Sequence, residues 1–406
     1  MDAIEIRRLI WHDEPIATID LPKAVMTITR GVGSGLALRP GAPAGRVWAV
    51  GDRGPNLKPD ALAARYGVDG LGSGLAGAKV MPCPDIGPTL VELQITADTV
   101  EWRQVLPIRG ADGAPIRGLP TPGGAHATSE PALNLAGEKL GTDPSGADTE
   151  GLIALADGFW VGDEYGPSLL RLDTQGRVMV RWVPAGSEDR FAGARYPVEG
   201  RLPALAVRRQ INRGFEAIGL SPDGRLIHLA FQSPLAHPDV TAHAAARHVR
   251  LWTLDAVTGA CLSQHLYPLD PPESFRRDNA LGHFDRGDIK LSELVVLDGG
   301  RLLCLERGSA STKLYLVAPD PTLALGPEHL DPATRPTLEE RSAAGAELPA
   351  LAKTLLLDTD DHPAIGRDLE GIVLLAPDEL LLVSDNDFGV EGAETGFWRV
   401  CFSQPI

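Results

Sequence analysis

A repeated unit of acid, strand, turn and strand constrains the fold of this chain more than any other feature. Each copy has an acidic residue, an apolar stretch of about five residues, a tight turn and a second apolar stretch ending at a polar residue. The turns, such as Ala156-Asp157-Gly158, supply the positive φ and local hydrogen bonds that hairpins need. Four copies are clear, and they begin at Glu150, Glu216, Glu293 and Glu370.

These units predict a β-propeller. A weaker fifth copy begins near Ser34 and ends at Asp52, and the chain between Ser34 and Glu150 has room for two units. Further apolar strands follow each hairpin, and radially repeated units of four antiparallel strands form propellers. Six units of roughly 70 residues fill the chain. We therefore expect a single all-β domain over residues 1–406, a six-bladed propeller, with two stacked β-sandwiches as the alternative.

The ends of the chain and one insertion complete this prediction. Residues 397–402 and 5–11 are both strand-like, and we expect them to share one blade. Residues 319–349 are rich in Pro, Glu and Ala and predict a loop and helix insertion in the C-terminal third. Residues 107–149 predict a loop.

Charge and composition limit the partners. The net charge of −16 argues against a nucleic-acid-binding surface and against docking on anionic lipid. No apolar run is long enough to span a membrane, so we expect no membrane insertion. The N-terminus lacks the pattern of a signal peptide, which predicts a cytoplasmic protein, or a periplasmic or secreted one if a leader was removed.

The acids that begin each unit are expected to converge. The first strand of each propeller blade lines the central channel, so Glu150, Glu216, Glu293 and Glu370 should meet at one mouth. The ends of the second strands should bring further polar side chains nearby, namely Asp52, Asp163, Glu164, Gln232, Glu306, Asp385, Asn386 and Asp387. Two carboxylates ~5 Å apart repel by about 3 kcal/mol at an effective dielectric constant near 20, so raised pKa values, a cation or arginines must offset the repulsion.

Oxygen ligands without paired His or Cys favour Ca²⁺ or Mg²⁺ over zinc. The predicted metal ligands are Asp52, Glu150, Glu216, Glu293, Glu370, Asp385 and Asp387. The predicted catalytic residues are Glu164, Glu306, Arg53, Arg213 and Arg307, the arginines binding an anionic group or balancing charge. The structural alternative is that Glu306-Arg307 and its equivalents are ion pairs that join adjacent blades.

Five short motifs resemble the family labelled "esterase-like activity of phytase", also called phytase-like. In chain order they are Gly51-Asp52-Arg53-Gly54, Gly162-Asp163-Glu164-Tyr165-Gly166-Pro167, Asn212-Arg213-Gly214-Phe215-Glu216, Leu305-Glu306-Arg307 and Ser384-Asp385-Asn386-Asp387-Phe388. The resemblance implies a β-propeller, a hydrolase activity and a family that is often exported.

Together, motifs and charges favour a divalent-cation-dependent esterase or phosphoesterase. Its substrate would be a small-molecule ester or phosphate ester bound at the mouth of the propeller. Two alternatives stay open. One is a non-catalytic propeller that binds a ligand or a protein, and the other is a calcium-dependent lactone hydrolase.

Overall fold

Five sheets form the blades of a β-propeller in the computed structural model, which describes residues 4–124 and 129–406. The N-terminal part and the first blade contain β1 (Glu5–Leu9), β2 (Pro15–Asp20), β3 (Val25–Thr29), β4 (Gly35–Ala37), β5 (Arg46–Val50), α1 (Pro59–Tyr66), β6 (Lys79–Val80), β7 (Thr89–Ile95), β8 (Val100–Pro107) and β9 (Ala132–Leu133). Strands β4, β5, β7 and β8 form blade 1 in that order, while β2 pairs with β3 and β6 pairs with β9.

The second and third blades follow directly along the chain. They contain β10 (Thr149–Leu155), β11 (Gly158–Asp163), β12 (Ser168–Leu172), β13 (Val178–Pro184), β14 (Val198–Leu202), β15 (Phe215–Leu220), β16 (Leu226–Phe231), α2 (Val240–Ala245), β17 (His248–Asp255) and β18 (Cys261–Pro268). Blade 2 has the order β10-β11-β12-β13-β14, and blade 3 has the order β15-β16-β17-β18.

The last two blades complete the ring. They contain α3 (Arg276–Leu281), β19 (Lys290–Val296), β20 (Leu302–Arg307), β21 (Thr312–Val317), α4 (Leu338–Ala343), β22 (Lys353–Asp358), β23 (Leu369–Ala376), β24 (Glu379–Ser384) and β25 (Phe397–Cys401). Blade 4 has the order β19-β20-β21-β22. Blade 5 has the order β23-β24-β25-β1, so one sheet joins both ends of the chain, as expected.

The ring closes at two levels. Around the axis, the innermost strands β4, β10, β15, β19 and β23 pack against one another in sequence, and β23 packs back against β4. At the rim, β1 pairs antiparallel with β25, with Leu9 opposite Phe397. Closure removes free sheet edges from the interior and fixes where each inner strand begins.

The propeller prediction is confirmed, with five blades in the described residues where we expected six. The difference lies between Ser34 and Glu150. The stretches around Leu93 and Val105 are the outer strands of blade 1, and the residues that the structure describes between β8 and β10 form loops and β9. The expected insertion contains α4, which packs against α2. Within the described ranges, no helix has the length and apolar character needed to cross a membrane.

A buried ion pair fixes the inner part of blade 2. The guanidinium of Arg181 donates to Asp163 at 2.5 Å and to Ser168 at 2.8 Å, and both charged side chains are fully buried. Asp163 also accepts the backbone N–H of Asp148 at 2.8 Å. The pair therefore holds the segment that leads into β10.

Replacing Arg181 should destabilise the protein strongly, because Asp163 would keep a buried charge without its partner. We expect Arg181→Met to lower the free energy of unfolding by about 3–5 kcal/mol in urea denaturation. Arg171→Met is the matched control, since Arg171 pairs with the exposed Asp157 in the turn between β10 and β11, and its loss should stay below about 1 kcal/mol. Equal losses in the two variants would contradict this view of the pair.

Candidate functional site

The inner strands of four blades bulge at the same point. The pairing register shifts by one residue between Thr149 and Leu152 in β10, and equivalent shifts occur near the start of β15, β19 and β23. A bulge leaves one residue unpaired and re-aims its side chain. The residues at these points are Glu150, Glu216, Ser292 and Glu370.

Three of these bulges bring carboxylates together at one mouth of the channel. Oxygens of Glu150, Glu216 and Glu370 lie within 4.8 Å of one another. Oxygens of Asp52, Asp148 and Glu150 form a second group of the same size. Glu150 belongs to both groups, so five carboxylates form one continuous set, which we call the carboxylate cluster.

The ends of the second strands add a further ring of side chains. At the ends of the second strands, Asp163 pairs with Thr149 and Glu306 pairs with Leu291. Side chains alternate along a strand, so the residue that follows Asp163 or Glu306 points to the opposite face, toward the mouth. The residues at this position are Glu164, Gln232, Arg307 and Asp385, and Asp52 occupies the corresponding point after β5.

Glu306 lies outside this ring, contrary to expectation. Its carboxylate accepts from Lys353 at 2.6 Å, from Tyr267 at 2.8 Å and from the backbone N–H of Asp270 at 2.7 Å. Side chains alternate along a strand, so the residue before Arg307 points between the blades. Glu306 is therefore part of a buried structural network, as in the alternative considered above.

Glu293 lies one residue beyond its bulge and crosses the channel. One carboxylate oxygen accepts the N–H of Leu36 on β4 at 3.3 Å, and the other accepts the N–H of Leu294 at 3.2 Å. Strands β19 and β4 are not neighbours in the ring, so the side chain spans the axis. Gly35 leaves room for it, because a Cβ at that position would lie 3.2 Å from the Glu293 oxygen. Glu293 is thus separate from the carboxylate cluster.

Beyond Glu293 the channel becomes apolar. A cavity of about 490 Å³ lies between the later parts of the inner strands. Aliphatic side chains of all five inner strands line it, including Leu36, Leu155, Leu220, Val296 and Leu374. The chemistry of the channel therefore divides into a charged end and an aliphatic end.

Burial and mutual repulsion shift the pKa values in the carboxylate cluster upward. Burial, followed by the charges of Asp52, Glu164 and Glu370, raises the pKa of Glu150 well above its ordinary value. Burial also raises the pKa of Asp148 well above its usual range, although Arg53 opposes the shift. Burial raises the pKa of Glu370 to about 8 against the opposing effect of Arg307. The cluster is therefore short of positive charge.

Several carboxylate oxygens at this mouth are buried and accept no hydrogen bond from the described residues. They are one oxygen each of Asp148, Glu150, Glu164, Glu216 and Asp385, while the second oxygen of Asp148 lies 3.1 Å from Arg53. Leaving a buried charged acceptor unsatisfied is costly, and such groups call for an explanation. A set of carboxylate oxygens is the donor set that Ca²⁺ or Mg²⁺ takes, so the residues present fit a hard cation.

Two arginines form ion pairs with carboxylates at this mouth. Arg53 lies 2.8 Å from Glu130 and 3.1 Å from Asp148. Arg307 binds Glu370 directly and donates to Ser292 at 2.8 Å. These two guanidiniums balance charge within the cluster, one of the two roles predicted for them.

The other predicted residues lie around the same mouth. Glu164 is within electrostatic reach of Glu216, Lys290 and Arg213. Asp385 faces Asp387, Glu370 and Asp52, and it accepts the N–H of Asp387 at 3.1 Å. The fold thus places ten of the twelve predicted site residues around one mouth, with Glu293 deeper in the channel and Glu306 between blades.

Several residues at the mouth are not among the predicted site residues. Asp148 lies two positions before Glu150, and the same offset from the bulge gives Lys290 in blade 4 and Asp368 in blade 5. A closer alignment of the repeats could have found Asp148. Glu130 lies in the loop before β9, Lys79 is the first residue of β6, and neither belongs to a repeat.

Strained backbone is concentrated in the loops at this mouth. Within residues 4–124 and 129–406, the non-glycine residues with positive φ are Asn212, Asp368, Asp387 and Phe388. Asn212 accepts from Arg53 at 3.3 Å, and Asp368 is within electrostatic reach of Arg307. Such conformations cost about 1–3 kcal/mol each and are concentrated at functional sites.

Comparisons with known proteins give a family match and distant likenesses. An "Uncharacterized secreted protein" of Arthroderma benhamiae is 26% identical over 217 residues, which cover 47% of this chain and 40% of that relative's length. A glucose dehydrogenase-type oxidoreductase of Thermus thermophilus has 14% identity and a TM-score of 0.33, covering 98% of this chain and 100% of the other. An aldose sugar dehydrogenase of Streptomyces coelicolor has 11% identity and a TM-score of 0.31, covering 99% of each chain.

The family match covers most of the chain. The family described as "Phytase-like: Esterase-like activity of phytase" matches residues 29–388, a span that contains every residue of the carboxylate cluster. This chain therefore belongs to the phytase-like family.

Proposed function

We propose that this protein is a divalent-cation-dependent ester hydrolase, an esterase or phosphoesterase that acts at the charged mouth of the propeller. The observation that carries the proposal is the position of Glu150, which belongs to two groups of carboxylates at once. Oxygens in both groups are buried and unsatisfied. A cation of the Ca²⁺ or Mg²⁺ type would satisfy them and remove the repulsion.

Asp52, Asp148, Glu150, Glu216 and Glu370 would hold the cation. When bound, such an ion polarises an ester or phosphoryl oxygen and makes a bound water more acidic. Glu164 is the best-placed proton acceptor in this chain, because one of its oxygens is buried and accepts no hydrogen bond from the described residues. Burial raises the pKa of Glu164 well above its ordinary value, which suits general-base catalysis near neutral pH.

The family description supports the ester part of the proposal. Its wording joins an esterase-like activity with phytase, and both names refer to ester bonds. The substrate class is therefore a small-molecule carboxylate ester or phosphate ester.

Removing the shared carboxylate should weaken cation binding more than any other single change in the cluster. We expect Glu150→Gln to lower Ca²⁺ affinity roughly 100-fold in calorimetric titration, because both groups lose a charged ligand. Glu328→Gln, at an exposed carboxylate far from the mouth, is the matched control and should bind like the wild type. Unchanged affinity in Glu150→Gln would refute the cation site.

Hydrolysis should depend on the cation. Purified protein, freed of metal with a chelator, is assayed on a panel of carboxylate esters, phosphate esters and lactones, with and without added Ca²⁺ or Mg²⁺. We expect activity on at least one ester class, a loss of roughly 100-fold or more in chelator, and recovery on adding the ion. Inactivity on every substrate under all conditions would favour the non-catalytic alternative, and activity confined to lactones would favour the lactonase.

The stability of the metal-free protein should fall as the pH rises. Below about pH 4.5 Glu370 is protonated in both the folded and the unfolded state, whereas between 4.5 and its folded pKa of about 8 only the unfolded state ionises. Ionisation then favours unfolding, so Tm in chelator should be roughly 5–10 °C lower at pH 8 than at pH 5.

Two comparisons identify the cause of this decrease. Glu370→Gln should reduce the difference between the two pH values, and saturating Ca²⁺ should restore Tm at pH 8 because the ion compensates the charge. The groups that face Glu370 include Arg307, Glu216, Lys290, Asp387, Glu150 and Asp385. A Tm that rises between pH 5 and pH 8 in chelator would contradict the expectation.

A further inference from the structure

Two positively charged side chains at the charged mouth, those of Arg213 and Lys290, differ from the buried arginines of this protein. Arg53, Arg181, Arg250 and Arg307 each lie within 4.0 Å of a carboxylate. In the described part of the chain, neither Arg213 nor Lys290 has a carboxylate within that distance, and neither side chain makes a hydrogen bond. The Nη1 atom of Arg213 is also closed to solvent.

The fold places both cations beside the carboxylate cluster. Lys290 begins β19 directly opposite Arg307, at the offset from the bulge that Asp148 occupies in blade 2. Arg213 is held between Asn212, whose backbone is left-handed, and Gly214. A Cβ on Gly214 would lie 2.6 Å from the carbonyl oxygen of Glu164, so the chain at Arg213 packs tightly against blade 2.

Neither cation has a direct carboxylate partner, and charged groups of both signs lie farther away. Burial lowers the pKa of Arg213, with Glu164 and Glu216 opposing the shift and Arg307 adding to it. Burial likewise lowers the pKa of Lys290, and Arg307 and Arg213 lower it further, while Glu370 and Glu216 oppose the shift. A desolvated cation without a direct partner is costly, and an anion that contacts both residues would remove the cost.

We infer that Arg213 and Lys290 form a subsite for an oxyanion, a phosphate or carboxylate group, beside the carboxylate cluster. A guanidinium offers two parallel donors to such a group, and an ammonium adds a point charge. Assigning this anion to the substrate rests on the proposed function, and it narrows the substrate class to esters that carry their own negative charge. Oxyanion binding itself does not depend on hydrolysis.

Titration with inorganic phosphate tests the subsite directly. The full-length protein is titrated by calorimetry at constant ionic strength, once in chelator and once with saturating Mg²⁺. We expect saturable binding in at least one condition, weakened roughly 10-fold or more in Lys290→Gln and in Arg213→Gln. Arg213→Lys should retain part of the affinity. Lys139→Gln and Arg201→Gln, at exposed positions, should bind like the wild type.

Two outcomes overturn the inference. One is the absence of saturable phosphate binding in both conditions, and the other is wild-type affinity in Lys290→Gln and Arg213→Gln with a Tm close to that of the wild type. A parallel titration with succinate decides between phosphate and carboxylate as the preferred group.

The hydrolase proposal can fail separately from this one. Phosphate binding that depends on Arg213, in a protein that hydrolyses no ester, would keep the subsite and reject the hydrolase. If hydrolysis is found, Lys290→Gln should raise KM for an anionic ester roughly 10-fold and leave KM for a neutral ester unchanged.

Discussion

Repulsion among buried carboxylates is the constraint around which the charged mouth is organised. Two such charges ~5 Å apart cost about 3 kcal/mol even at an effective dielectric constant near 20. Only the closed ring of blades keeps them together, because the acids come from four different blades and closure fixes the inner strands of all of them at once. Arg53 and Arg307 offset part of the repulsion. The carboxylate oxygens that remain unsatisfied are the reason to expect a cation.

Much of this architecture could be predicted from the sequence, because the repeat carries it. An acid before a hairpin, found again at Glu150, Glu216 and Glu370, indicates both the propeller and the side of the channel where the acids meet. Single-residue placement could not be predicted in the same way. A bulge shifts the register by one residue, which sends Glu293 across the channel, and strand alternation sends Glu306 between the blades. Neither effect changes the pattern of apolar residues that defines the repeat.

The number of blades and the side chains at the outer part of the mouth are determined by segments that lack the repeated pattern of acid, strand, turn and strand. The chain between blades 1 and 2 is long enough for another blade, but its described residues form loops and β9. Those loops supply Glu130, which binds Arg53, and β6 supplies Lys79. Residues outside the repeats therefore complete the site, while the repeats supply its inner acids. These additional residues make the mouth different from the ring of acids that the repeats alone would form.

Glu293 has a consequence for how molecules reach the charged mouth. Its carboxylate joins β19 to β4 across the axis, and the channel beyond it is lined with aliphatic side chains. The Glu293 bridge thus lies between the charged end of the channel and its aliphatic end. A molecule that moved along the axis from one end to the other would have to break the hydrogen bond between Glu293 and Leu36.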